Sequence, residues 1–210
     1  MALTSDDDNA VDSFLERKRQ WLFNTVREMD RVTSGRHAVP RFMTGTKIPY
    51  RGRKMPLVVR RGDSERLTVT YRNGFVVDLP HWVGKNTDSL IASEIKHWLK
   101  QRARRDVQGI ASDYGKKFGV ELRSIRVTDL SSGWGSCGPQ GNILIIWHLI
   151  FAPRKVLEYV VVHELAHLSI RSHCRAFWEV IESMMPGFDV AMRWLEKNQT
   201  DLSSEFLEPL

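Results

Sequence analysis

Val160-Val161-Val162-His163-Glu164-Leu165-Ala166-His167-Leu168-Ser169-Ile170-Arg171-Ser172-His173 is the stretch on which the rest of the chain turns. Residues four apart on a helix stand one turn above each other on one face, so the imidazoles of His163 and His167 can reach a single ion. The carboxylate of Glu164 is then placed to take a proton from water held on that ion. Pro153 suits the first turn of a helix. Val156, Leu157, Tyr159, Val160, Val161, Val162, Leu165, Ala166 and Leu168 make that helix apolar nearly all round. Such a helix is buried. His163, Glu164 and His167 are its polar interruptions, and buried polar groups need partners. A divalent metal supplies one; hydrogen bonds within the core are the plainer alternative.

A catalytic zinc site takes three protein ligands and leaves a position to water. His173 lies six residues after His167, far enough for the chain to leave the helix and turn back. Glu179 and Glu182 compete for the same place, since a glutamate on the following helix is also a good oxygen ligand. His173 is preferred because the spacing fits and imidazole suits zinc. The H-E-x-x-H-x5-H spacing is also that of the metzincins, whose glycine three residues after the second histidine is Ile170 here.

Further segments carry a wider resemblance. Trp134-Gly135-Ser136-Cys137, then residues 142–150, Ala152-Pro153, the metal stretch, and His173 followed by Phe177-Trp178 resemble the YgjP-like branch of the SprT/WLM-related zinc metallopeptidases. The family pattern runs approximately R-W-G-S-C, N-W-R-L-I-x-A-P, V-V-H-E-L-x-H-L and H-S-x-x-F-W. Three positions depart from it: Gly133 stands for the arginine before Trp, Ile146-Trp147-His148 for N-W-R, and Cys174 for the serine after the third histidine. The resemblance implies a zincin-like fold, one zinc ion per chain and a peptide or protein substrate. It also makes 142–147 the strand that would pair with an extended substrate, against the alternative of an interior strand, since Ile143-Leu144-Ile145-Ile146 is apolar on both faces. His148, at the family's arginine, is a candidate donor to a developing oxyanion.

Composition sets the outer bounds. The chain has 210 residues, 42% of them hydrophobic, enough for one sizeable core with or without a small appendage. With no apolar run of membrane-spanning length and an acidic start, neither a membrane span nor a signal peptide is expected. Two cysteines, Cys137 and Cys174, make no disulfide framework and fit a reducing, cytoplasmic setting. Cys137 reads as a small buried hydrophobe more readily than as a ligand or reactive thiol. Charge is uneven: residues 17–127 carry 25 Lys+Arg against 10 Asp+Glu, while residues 128–210 carry 6 against 10. The basic region 17–127 is therefore either a solvated face or a contact for a nucleotide or nucleic acid, with Arg102, Arg104 and Arg105 as the candidate anion-binding group.

The remaining patterns place the elements. Leu15, Leu22, Val26 and Met29 form the stripe of an amphipathic helix over residues 11–32. Alternation at 57–59, 67–71 and 75–79, with Asn73-Gly74 between the last two, reads as a small antiparallel sheet. Asn86, Thr87 and Asp88 offer capping chemistry for a long helix. Its stripe is Ile91, Ile95, Leu99, Ala103, Val107, Ile110, Tyr114 and Phe118, and Gly119 closes it. His37, His81 and His97 read as surface histidines, and Met184-Met185 as core. The expected fold is α+β: an acidic N-terminus and helix over 1–35, the small antiparallel sheet over 36–85, a zincin-like core over 86–198, and a loose tail over 199–210. Two rival functions stay open beside peptide hydrolysis: nucleotide phosphohydrolysis, and a nucleic-acid module whose zinc is structural.

Overall fold

In the computed structural model, β1 (Lys47–Tyr50), β2 (Arg53–Gly62), β3 (Thr68–Tyr71) and β4 (Phe75–Pro80) form a sheet in the order β1-β2-β4-β3. The structure describes residues 41–63, 65–84, 87–129, 133–198 and 202–208. The helix expected over 11–32, and His37, lie outside them. Phe75, Val77 and Leu79 are buried alternately along β4, as a half-buried strand requires. The Asn73-Gly74 hairpin forms between β3 and β4, with Asn73 in the left-handed region at φ 55°.

The sheet is mixed, which corrects the antiparallel expectation. β2 and β4 run parallel, Leu57 opposite Phe75 through Gly62 opposite Pro80. β3 takes the outer edge, so its hairpin returns β4 alongside β2 in the same direction. Period two reports which face of a strand is buried, not which neighbour it takes.

A second tight turn lies within the basic run Arg51-Gly52-Arg53-Lys54. β1 and β2 are joined by Arg51 (φ 49°) and Gly52 (φ 75°), both left-handed, the geometry of a type I′ hairpin. The turn docks on the segment that opens the metal-motif helix: the Arg51 N–H donates to Ile150 O at 2.9 Å and the Gly52 N–H to Phe151 O at 2.7 Å. A methyl at Gly52 would stand 2.8 Å from Pro153 Cγ. The Arg51 guanidinium meets the buried carboxylate of Asp106 at 2.6 Å, and Arg102 approaches the same carboxylate at 3.3 Å. Removing either arginine leaves the buried Asp106 carboxylate with one partner fewer, which is destabilising.

Helix α1 (Asp88–Phe118) runs behind both sheets with Ile91, Ile95, Leu99, Ala103, Val107 and Ile110 buried, and ends at Gly119 in the left-handed conformation. Its start differs from the expected cap. The Thr87 side chain makes no capping bond. The Asp88 carboxylate instead accepts from the backbone N–H groups of Arg41 and Phe42, at 2.8 and 3.2 Å.

β5 (Ser124–Thr128), β6 (Gly135–Cys137) and β7 (Asn142–Ile146) form a second sheet in the order β5-β7-β6. A 3-10 turn, Trp147–Ile150, leads to α2 (Arg154–Ala166), followed by α3 (Arg175–Met184) and α4 (Phe188–Asn198). The architecture is α+β, as expected, and buried residues from Phe42 to Leu207 make one core cluster that includes Met184 and Met185. No helix among the described residues is long and apolar enough to cross a membrane.

The end of the chain, expected to be loose, is packed over its described part. Leu202 and Leu207 are buried, and Phe206 meets Phe151 edge-on. Arg41 donates to the carbonyls of Phe206 and Glu208, and Lys96 pairs with the Glu208 carboxylate at 2.6 Å. Two leucines and a phenylalanine within six residues supply apolar surface for this docking.

Candidate metal centre

Helix α2 is buried along nearly its whole length because its apolar residues from Val156 onward occupy nearly every side. That burial carries His163 and Glu164 into the interior, with His167 at the helix end. His163 Nε2 lies 3.2 Å from His167 Nε2 and 3.0 Å from His173 Nε2, and the three ligand nitrogens all fall within 4.8 Å of one another. Two nitrogens held by one tetrahedral zinc stand roughly 3.3 Å apart, given bond lengths near 2.05 Å. The donor set therefore fits such an ion. His167 Nδ1 is 3.0 Å from Ile170 O, so its N–H is fixed there and Nε2 keeps its lone pair for the cluster. His163 Nδ1 is buried with no hydrogen-bond partner among the described residues. Burial first, then the neighbouring His167 and His173, depress the His163 pKa to about 4, so a proton is a poor occupant of this cluster at neutral pH.

The chain reaches His173 without a glycine. Leu168, Ser169 and Ile170 close the helix end by donating to Leu165 O and Ala166 O at 3.0–3.1 Å. Ile170 has no positive φ, so the turn makes no demand that an L side chain cannot meet. Phe177 of α3 then floors the site. Its buried ring stacks on His167 at 4.5 Å and meets His163 and His173 edge-on at 4.9 Å, while Trp178 stacks on His173 at 5.8 Å and donates to His173 O. An apolar shell of this kind excludes water from behind the imidazoles, and burial favours the neutral form of His163 and His167.

Glu164 is 6% exposed, and burial pushes its carboxyl up to about 7. It lies directly under β6. A methyl at Gly135 would stand 2.8 Å from Glu164 Oε1 and 2.9 Å from its Cγ. A three-residue strand shows no period in the sequence; its signal is Gly135 itself, where backbone passes this close to the carboxylate. β6 is the edge of its sheet and pairs antiparallel with β7 alone among the described residues. β7 is the central strand, so of its two readings the interior one holds, and the free edge belongs to β6.

Other expected residues stand elsewhere. Glu179 is exposed and paired with Arg175 at 2.8 Å, while Glu182 faces the Gly187 N–H at 3.4 Å; neither joins the histidine cluster. His148, expected as an oxyanion donor, has its Nε2 2.9 Å from Ser204 Oγ, and its charged surroundings are Asp129, Lys96, Lys100 and Glu208. None of these is a residue of the histidine cluster. Of the expected anion-binding group, Arg102 turns to Asp106 and only Arg104 and Arg105 are exposed. Lys100 pairs with Asp129 at 2.6 Å. The basic excess is thus partly neutralised in place. His81 and His97 are surface residues, His97 meeting Gln101 at 2.7 Å. Cys137 is half-buried and packs on the core.

A search among curated proteins gives no match. The chain is similar to the metallopeptidase zymogen of Pyrococcus abyssi abylysin, at 22% identity and a TM-score of 0.40, over 44% of this chain and 95% of that one. Residues 4–198 match the family described as YgjP-like, metallopeptidase domain, a span that takes in the three histidines and Glu164. The chain belongs to the YgjP-like metallopeptidase domain family.

Proposed function

We propose that the chain is a zinc-dependent hydrolase of peptide bonds, with His163, His167 and His173 as metal ligands and Glu164 as the proton-transfer residue. The observation that carries this is a buried carboxyl, raised to about 7, next in sequence to a cluster of three imidazole nitrogens. A zinc ion, when bound, polarises a carbonyl and lowers the pKa of the water it holds. A carboxyl poised near neutral pH is matched to accept a proton and return it to the leaving amine. The free edge of β6 offers an extended substrate backbone a strand to pair with, next to Glu164. A structural zinc site would be closed by a fourth protein ligand and would need no carboxyl beside it; the cluster among the described residues has three ligands.

The reading is tested by incubating the purified, zinc-loaded protein with a peptide library and a nucleotide panel, each with and without chelator. Peptide cleavage that the chelator abolishes is expected. Nucleotide turnover without peptide cleavage would transfer the site to phosphohydrolysis, and no turnover of either would leave the structural-zinc reading.

The contact between β6 and Glu164 gives a separate expectation. Gly135→Ala keeps the metal but lowers peptide turnover tenfold or more, because a methyl 2.8 Å from Oε1 and 2.9 Å from Cγ of Glu164 forces that side chain to shift. Unchanged turnover with the methyl in place would show that the position of Glu164 under β6 is immaterial.

A further inference from the structure

Arg171 lies between the second and third histidines, and its guanidinium leaves its own loop to reach the β6–β7 turn. Nη1 donates to Cys137 O at 3.0 Å and Gly138 O at 3.1 Å and approaches Cys137 Sγ at 3.4 Å, while Nη2 donates to Pro139 O at 3.3 Å. No carboxylate pairs with it among the described residues. A surface arginine is ordinarily left to solvent or to an acid. This one gathers three carbonyl dipoles from one turn, which only a planar fork of donors can do.

These are the only side-chain hydrogen bonds between residues 168–173 and the β6–β7 turn among the described residues. On one side of the link, two residues further along, stands His173, an exposed ligand outside any helix. On the other is a three-residue edge strand that covers Glu164. β6 is paired on one side only, and the loop bonds to its own helix end and, at His173, to Trp178 of α3.

The geometry points to Arg171 as a positioning residue that ties the third-ligand loop to the lip strand, so that metal retention and the placement of β6 over Glu164 depend on one guanidinium. This rests on the reading of the three histidines as metal ligands. Arg171 touches neither a ligand nitrogen nor the Glu164 carboxylate; it acts through the loop and the strand.

The test uses the full chain with Arg171→Met, which keeps the stem and removes the donors, and Arg171→Lys, which keeps only a point charge. Zinc release to a chromophoric chelator should be about tenfold faster in Arg171→Met, the worth of a charge-assisted bond. Amide exchange over residues 134–139 should speed up by a similar factor while exchange in α1 stays as in wild type. Arg171→Lys should fall between, since an ammonium cannot fan across three carbonyls. A merely structural role would lower global stability and speed exchange in α1 as well. Unchanged zinc release with unchanged exchange at 134–139, or equal acceleration everywhere, would overturn the assignment. Should the wild type bind no zinc, the metal reading fails, and the exchange rates alone decide the clamp.

Discussion

Glu164→Gln should retain the metal and the fold yet lose at least ~10²-fold in peptide turnover, the range expected when a general base is removed. Glutamine matches glutamate in size, so the close passage of Gly135 over this side chain is preserved. What changes is the ability to hold a proton. The site is built to make that ability matter: a carboxyl left 6% exposed is held near neutral pH by burial alone. An uncharged amide at the same place removes a desolvation cost, so the variant should be at least as stable as the parent. The comparison is therefore clean. Thermal unfolding and metal content are measured beside initial rates on one peptide. Wild-type rates in the variant would remove Glu164 from the chemistry.

Much of the centre was legible because its logic is local. His163, Glu164 and His167 sit within one and a half turns of a helix whose apolar composition already says it is buried, so spacing and burial could both be read from one stretch. His173 needed only that the intervening residues turn back, and the negative φ values through Ile170 explain why no glycine was required. The long stripe from Ile91 to Ile110 was equally plain, since a period of 3.6 sustained over many turns leaves little ambiguity.

What escaped was non-local. β6 is three residues long and has no period to detect; its place is set by pairing with β7 and by the lack of a side chain at Gly135. Arg51-Gly52 is a tight hairpin turn because both φ values are positive, which the charge of its neighbours Arg53 and Lys54 does not report. The parallel pairing of β2 with β4 depends on sheet order, about which alternation is silent. His148 and Arg102 were assigned by position, but their partners, Ser204 and Asp106, were chosen by the fold.

The central claim is that His163, His167 and His173 together hold one divalent ion. It is tested most directly by metal analysis of the wild type and the three single alanine variants, each loaded with zinc and dialysed. The nitrogens stand at 3.0 and 3.2 Å from that of His163, at the pair spacing one ion imposes, and the His163 ring gains no other hydrogen bond at Nδ1. Losing one of three ligands should take bound zinc from close to one equivalent to a small fraction of that in every variant. Circular dichroism should show the fold kept, since His173 is exposed and removing a half-buried His163 or His167 leaves the Phe177 floor intact. Near-stoichiometric zinc in all three variants, or none in the wild type, would contradict the account.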